Sequence, residues 1–389
     1  VQLFSRTKLT KSTDDWHVAF AELFLPVFTG SDQIPAIQQR IRQLAFIPLT
    51  TPNQWTGAPG LRSGGSNRVY SAYCGSTAIP ETLSLRLLDK TASQNATRRE
   101  FYRALGVQDC PKNTVFDAIK SAHRVQLLED PVDHLQFLYH QGYKSDDIQS
   151  WIQIPLTNGK VVAASSVDLY FPSDGEFDMY QLLPHHDRFH FLTKELFEAE
   201  LPTVRVKDED WKTWLARITG AKYYPPLNTP SGVTGQDTLS SGLTAVQEHN
   251  QIKFLATLRA HWDQYQIDAH LVELALEDCL VPCKSGSENV MSITYLPTSE
   301  IITEAARLGM LPNDLPVLEL PDAILDEATY RSWRFLEEFG VGSKPNLQFY
   351  ITVLEVKSVS DEAPDLTKIE ETYRCIARLA TIQDYDYLR

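Results

Sequence analysis

The chain has 389 residues, 43% hydrophobic and 22% charged, a composition that suits about two to four folded domains and excludes disorder as the default. Fifty acidic residues against 36 basic ones give a formal charge of −14. Nucleic acids and anionic membranes both bind through Lys and Arg, so neither partner is expected, and no run of 18 apolar residues predicts a membrane span.

The first elements are two helices, "WHVAFAELFLPVF" from Trp16 and "PAIQQRIRQLAF" from Pro35, which form an N-terminal helical segment over 1–40. Three segments of related plan follow, expected at 41–150, 151–275 and 276–389. Each begins on an apolar residue and a proline: "FIPLTTPNQW" at Phe46, "IQIPLTNGKVV" at Ile152 and "CLVPCKSGSENV" at Cys279. Each start runs into a β-rich stretch, "RVYSAYC", "VDLYFPSD" or "ITYLPTSE", and the set reads as strand, polar turn with Asn or Gly, second strand. In the first copy "GAPGLRSGGSNR" lies inside that hairpin.

Each segment then writes the same phrase: "FYRALGVQDCP", "WLARITGAKYYP" and "FLEEFGVGSKP". Phe101, Leu215 and Phe335 stand five residues before Gly106, Gly220 and Gly340, and Pro111, Pro225 and Pro345 stand five after them. Glycine just beyond a helix end adopts positive φ, and a proline soon after prevents the helix from resuming. A second helix is expected after the first and third copies, at "TVFDAIKSAH" and "LQFYITVLEVK". The second copy instead ends in "NTPSGVTGQDTLSSGLTA", read as a mobile loop. It is followed by helices at "HNQIKFLATLRAHWDQY" (Ile252, Leu255, Leu258 and Trp262 at helical spacing) and "DAHLVELALEDC". The predicted fold class is α+β: three tandem modules, each a small hairpin sheet with helices.

The ordered set of "IPL" with a decorated turn, "VDLYFPSD", "LRAHWDQY", "VPC…SITYLP" and "FLEEFGVG" resembles the fungal relatives of sacsin and the plant protein No Vein, over residues 41–357. Those are very large proteins with an N-terminal Hsp90-type ATPase, and the resemblance falls on the region after it. The Glu-x-x-x-Asn-x-x-Asp/Asn pattern of that ATPase is absent, and "SDGEFD" at 173–178 has a single glycine with no partner motif. No ATP-site residue carries over. The start at Val1 and end at Arg389 are read as those of a piece of a longer protein.

Candidate chemistry is sparse. "PHHDRFHF" brings His185, His186, Asp187 and His190 within six residues, and a helix would set His186 and His190 on one face as in a zinc pair. No His-Glu-x-x-His and no third ligand accompany them, so the expectation is a structural loop with no metal. Cys279 and Cys283 lack the second ligand pair that structural zinc needs and read as buried thiols. "GLRSGGSNR" lacks the Lys-Ser/Thr of a phosphate loop and reads as a hairpin tip. Ser166 and Asp168 have no partner His, and Asp133, His134 and His140 read as helix structure. Trp211, Trp214, Trp262 and Trp333 are read as core, with a recognition surface as the alternative. No catalytic, cofactor or metal residue is therefore assigned.

The resulting expectation is a non-catalytic scaffold or interaction segment, chaperone-like, of a larger sacsin/No Vein-like protein, whose partners are other proteins and other domains of the same chain. The alternatives are a metal-dependent hydrolase using His185, His186 and His190, or a sensor module that binds a peptide at a sheet edge. Five cysteines, an odd number and mostly far apart, suit a reducing compartment, so an intracellular site, cytoplasmic or nuclear, is expected.

Overall fold

Helix Asp14–Thr29 begins where the Thr13 side chain accepts the amide of Trp16, with Asp14 and Asp15 at the positive end of the helix dipole. It belongs to a computed structural model that describes residues 12–30, 34–44, 46–51, 54–58, 68–125, 128, 131–173, 178–183, 188–198, 209–229, 237–324, 326–359 and 365–380. Small antiparallel hairpins lie among many helices, so the protein is of the α+β class. The chain divides into two compact units, 1–169 with 190–221, and 170–189 with 222–389.

In the first unit, helix Asp14–Thr29 lies on helix Ala96–Ala104, which Asn95 caps by accepting the amide of Arg98. Phe20, Phe46, Leu49, Val69, Leu88, Phe101 and Tyr102 form the core between them and the short strands. Arg98 is nearly fully buried and donates to the exposed carboxylate of Asp14 at 2.8 Å, which supplies the guanidinium with its counter-ion. In the second unit, Tyr295, Ile301, Leu308, Val317, Phe349, Val353 and Ile376 form a core beneath helices Ser299–Arg307, Leu347–Val359 and Leu366–Leu379.

A fixed set of backbone bonds recurs along the chain. In the first unit Leu49 N–H donates to Gln54, Thr50 to Leu87, Asp89 to Pro48, Tyr70 to Arg86, Leu88 to Tyr70 and Ser71 to Gln108. In the second unit Cys283 donates to Ser287, Lys284 to Val317, Glu319 to Pro282, Tyr295 to Pro316, Leu318 to Tyr295 and Leu296 to Gly342. The intermediate stretch holds the matching bonds Leu156 to Lys160, Thr157 to Phe191 and Thr193 to Pro155 in the first unit, and Phe171 to Lys222 in the second. Tyr70, Tyr170 and Tyr295 thus each bridge in parallel to the residue two beyond a glycine, Gln108, Lys222 or Gly342.

The hairpins differ from the expected pairing. Ile47–Pro48 pairs with Trp55–Thr56, Gln153–Pro155 with Val161–Ala163, and Leu280–Pro282 with Glu288–Val290. Two of the turns close within a few residues, because Gly159 and Gly286 adopt φ of 76° and 77° in Thr157-Asn158-Gly159 and Lys284-Ser285-Gly286. The tyrosine-bearing stretches are therefore free to pair with residues much further along. Residues 60–67 of the expected glycine-rich tip lie outside the described residues. The expected mobile loop at 228–245 is partly ordered: Asn228–Thr229 pairs with Thr238–Leu239, and Ser240 caps helix Ser241–His249. Residues 230–236 between those strands are outside the description. The long helix expected from His249 is broken at Asn250, whose extended backbone lets its side chain cap helix Gln251–Ala260.

Gly106, Gly220 and Gly340 have φ of 104°, 71° and 82°. Gly106 N–H donates to Arg103 and Val107 N–H to Tyr102, and Gly340 donates to Glu337 and Val341 to Leu336. Those paired bonds are Schellman stops; Gly220, donating to Ala216, makes the simpler left-handed stop. Helices Lys112–Val125 and Leu347–Val359 follow the first and third.

Replacing Gly106, Gly220 or Gly340 by Val is expected to cost about 1 kcal/mol or more each, because a branched residue resists positive φ. Gly340→Val should cost more than Gly220→Val, since a Cβ at Gly340 comes within 3.1 Å of Ser292 and one at Gly220 meets only the Gln149 side chain at 3.5 Å. Urea denaturation of the three variants checks this; parental stability in all three would remove the glycine stops.

Candidate functional site

The aromatic residues singled out in the sequence sit where helices meet. Trp211, Trp214 and Trp333 are buried, and Trp262 is half-buried. In the first unit, Tyr139 on helix Val132–His140 stands edge-on to Trp211 and Trp214, with ring centroids 5.1 and 5.5 Å away. Trp211 donates its indole N–H to the Leu196 carbonyl at 2.7 Å, and Tyr139 Oη donates to the Glu209 carbonyl. Helix Trp211–Thr219 is the helix that stops at Gly220.

The second unit repeats the arrangement around Gly340. Trp262 stacks on Phe335 at 4.3 Å and meets Phe339 edge-on at 5.7 Å. Arg259 lays its guanidinium 4.6 Å from the Trp333 ring centroid and pairs with Asp322 at 2.7 Å. An open cleft of about 650 Å³ lies beside this contact, lined by Arg259, Trp262, Arg334, Phe335 and Glu337. On the Gly106 helix the covering rings are Phe20 and Phe28, edge-on to Phe101 at 6.0 and 5.8 Å. At Gly106, Gly220 and Gly340 an aromatic helix from earlier in the chain covers the helix that the glycine ends; helices Val132–His140 and Ser299–Arg307 also stop at positive-φ glycines, Gly142 and Gly309, outside this pattern.

A polar cleft of about 420 Å³ in the first unit is lined by Ser71, Tyr73, Ser93, Arg99, Arg103 and Asp109. Its Arg103 is held by both oxygens of Asp109 at 2.7 Å. Arg99 Nε is buried without a hydrogen-bond partner among the described residues.

His185, His186 and Asp187 lie outside the described residues. His190 is half-buried in strand His190–Phe191, and its Nδ1 has no hydrogen-bond partner among the described residues. No group of three or more His, Cys, Asp or Glu among the described residues is placed to hold a metal ion. Cys279 and Cys283 are buried; Cys279 Sγ donates to the Ala275 carbonyl, and Asn289 donates to Cys283 Sγ. Burial pushes the Cys279 thiol up to about 11 and raises Cys283 as well, which opposes the thiolate form a metal needs.

Ser166 donates to the Ala163 carbonyl, while Glu209 pairs with Arg217 and Asp210 caps its helix. These acidic residues are structural. Among the described residues no helix is long and apolar enough to cross a membrane. No known protein family, curated protein or solved structure matches the chain.

The sequence signals missed a buried histidine relay. Gln153 N–H donates to His123 Nδ1 at 3.0 Å, so His123 carries its proton on Nε2 and gives it to His134 Nδ1 at 3.3 Å. His134 Nε2 then donates to Thr82 Oγ1 at 2.7 Å. Helical spacing places His123 and His134 on their helices, but their meeting is a tertiary event.

Burial, with His134 adding to it, lowers His123 from an ordinary 6.5 to about 3. The unfolded chain therefore binds this proton first. The relay contributes fully above pH 6.5, and its contribution is lost as pH falls from there toward 3, at about 1.4 kcal/mol per pH unit. Urea denaturation at pH 7.5, 6.5 and 5.5 should show that loss in the parent and a flatter dependence in His123→Gln. Parallel slopes would remove the relay.

Proposed function

We propose that the chain is a non-catalytic scaffold and interaction segment built from three tandem copies of one module, of the kind found downstream of the ATPase in sacsin/No Vein-like proteins, and that its partners are proteins. The observation that carries this reading is the recurrent docking of an aromatic helix onto the helices that stop at Gly106, Gly220 and Gly340: Phe20 and Phe28 on Phe101, Tyr139 on Trp211 and Trp214, Trp262 on Phe335 and Phe339. Contacts of that kind join neighbouring units of a repeat array through apolar faces, and stability then spreads along the array. The recurrent backbone bonds around Tyr70, Tyr170 and Tyr295 support the same reading, because equivalent positions are filled by equivalent bonds.

The side chains with perturbed proton affinity support it too. His123 relays to His134, Glu304 is held by Arg307 and Tyr350, and the shifted cysteines are buried; each serves packing. An intracellular location, cytoplasmic or nuclear, belongs to the same proposal.

Metal analysis of the purified chain, with hydrolysis assays on generic ester, phosphoester and peptide substrates, tests the reading. The expected outcome is no stoichiometric metal and no turnover. Stoichiometric zinc, with hydrolysis abolished in His185→Ala, His186→Ala or His190→Ala, would replace the scaffold by a metal-dependent hydrolase.

A further inference from the structure

Between Arg259 and Lys284 the chain carries no Lys or Arg. Within that stretch Tyr265, Ala269, Val272, Leu276 and Cys279 are buried, alternating four and three residues apart, so one face of the segment already serves the core of its unit. Yet the opposite face is apolar as well. Ile267 is 71% exposed, Leu271 41% and Leu274 62%, again at spacings of four and three. Leu280, at 42%, extends the stretch, and the turn Met291–Ile293, which packs against helix Glu273–Glu277, adds Ile293 at 49%. Scattered apolar residues on a surface need no explanation, but a grouped set with no task in the core marks an interaction site.

The segment's own charge is of one sign, although Asp263 shares a cleft with Arg259, Arg331 and Arg334. Asp263, Asp268, Glu273 and Asp278 are exposed and Glu277 is half-buried, and none of the five forms an ion pair among the described residues. Several other carboxylates of this unit do meet arginines: Glu304 and Glu371 pair with Arg307, Glu370 with Arg374, Glu327 with Arg331 and Asp322 with Arg259. An apolar strip flanked by unpaired carboxylates attracts a cationic partner and repels a second copy of itself.

We infer that the ledge Ile267–Leu271–Leu274 is a docking surface for a basic amphipathic helix of a partner protein, one that sets apolar anchors at helical spacing between Lys and Arg residues. The inference rests on the interaction reading above and names the chemistry of one partner. The anchors cover Ile267, Leu271 and Leu274, and the basic flanks meet Asp268, Glu273 and Asp278. Buried apolar contact supplies affinity, and charge supplies encounter rate and orientation.

The test is a fluorescence-anisotropy titration of the full chain with a labelled synthetic helical peptide of Leu and Lys, at physiological ionic strength. Saturable binding is expected, weakened about tenfold or more in Leu271→Ser/Leu274→Ser and in Asp268→Asn/Glu273→Gln/Asp278→Asn. Leu366→Ser, which changes a leucine 74% exposed elsewhere, should leave it unchanged. A Lys/Ser peptide of equal charge should bind much more weakly, and hydrogen exchange should slow over 263–280 when the Leu/Lys peptide is bound. The thermal melts of all variants should match the parent, since the changed side chains lie outside the core. Absence of saturable binding, equal binding by all variants, protection elsewhere, or a parent dimer dispersed by Leu271→Ser/Leu274→Ser would each overturn the ledge. Such a result from a metal-free, inert chain leaves the scaffold standing. Peptide binding by a zinc-dependent hydrolase removes the scaffold and leaves the ledge.

Discussion

The architecture depends on backbone pairing at three tyrosine-bearing stretches, two-sided at Tyr70 and Tyr295. Strands of two or three residues are too short to be stable alone. Tyr295 shows how they are held: its N–H donates to Pro316, its carbonyl accepts from Leu318, and its neighbours Thr294 and Leu296 exchange bonds with Gly342. Tyr70 makes the corresponding bonds with Arg86 and Leu88, and its neighbours make them with Gln108. Tyr70 and Tyr295 thereby each join three distant parts of the chain, and the buried ring fixes them against the core.

The glycine stops make that pairing reachable. A helix that continued past Gly106 or Gly340 would carry Gln108 or Gly342 away from the tyrosine strand. Positive φ turns the chain back within two residues, at a position where a side chain would be strained. The residue that then meets the strand varies. Lys222 places its ammonium 5.9 Å from the Tyr170 ring, whereas Gly342 lies so close to Tyr295 that a Cβ would come within 2.5 Å of the ring. The backbone rung is the same while the side-chain packing differs.

Two buried titratable groups of the first unit are handled in different ways, one by pairing and one by neutrality. Arg98 is charged and buried, and meets Asp14; His123 is buried without a counter-ion and stays neutral beside His134. On the surface a few carboxylates of the C-terminal helices pair with arginines, as Glu327 with Arg331 and Glu370 with Arg374. The segment 263–280 has no such pair among the described residues and exposes apolar side chains beside its carboxylates.

The helix stops at Gly106, Gly220 and Gly340 and the class α+β were determined by the sequence alone. Each follows from a local preference: glycine for positive φ, apolar residues at helical spacing. The cap at Ser240 was not among them, since its stretch reads as a loop until Asn228–Thr229 pairs with Thr238–Leu239. Strand pairing was decided only by the tertiary structure. Two-residue strands carry no alternation to read, so nothing near Tyr70 announces Leu88 or Gln108 as its partners. The same limit hid the meeting of His123 with His134 and the outward aim of Leu271 and Leu274. Which face of a segment is buried depends on neighbours that folding alone brings into place.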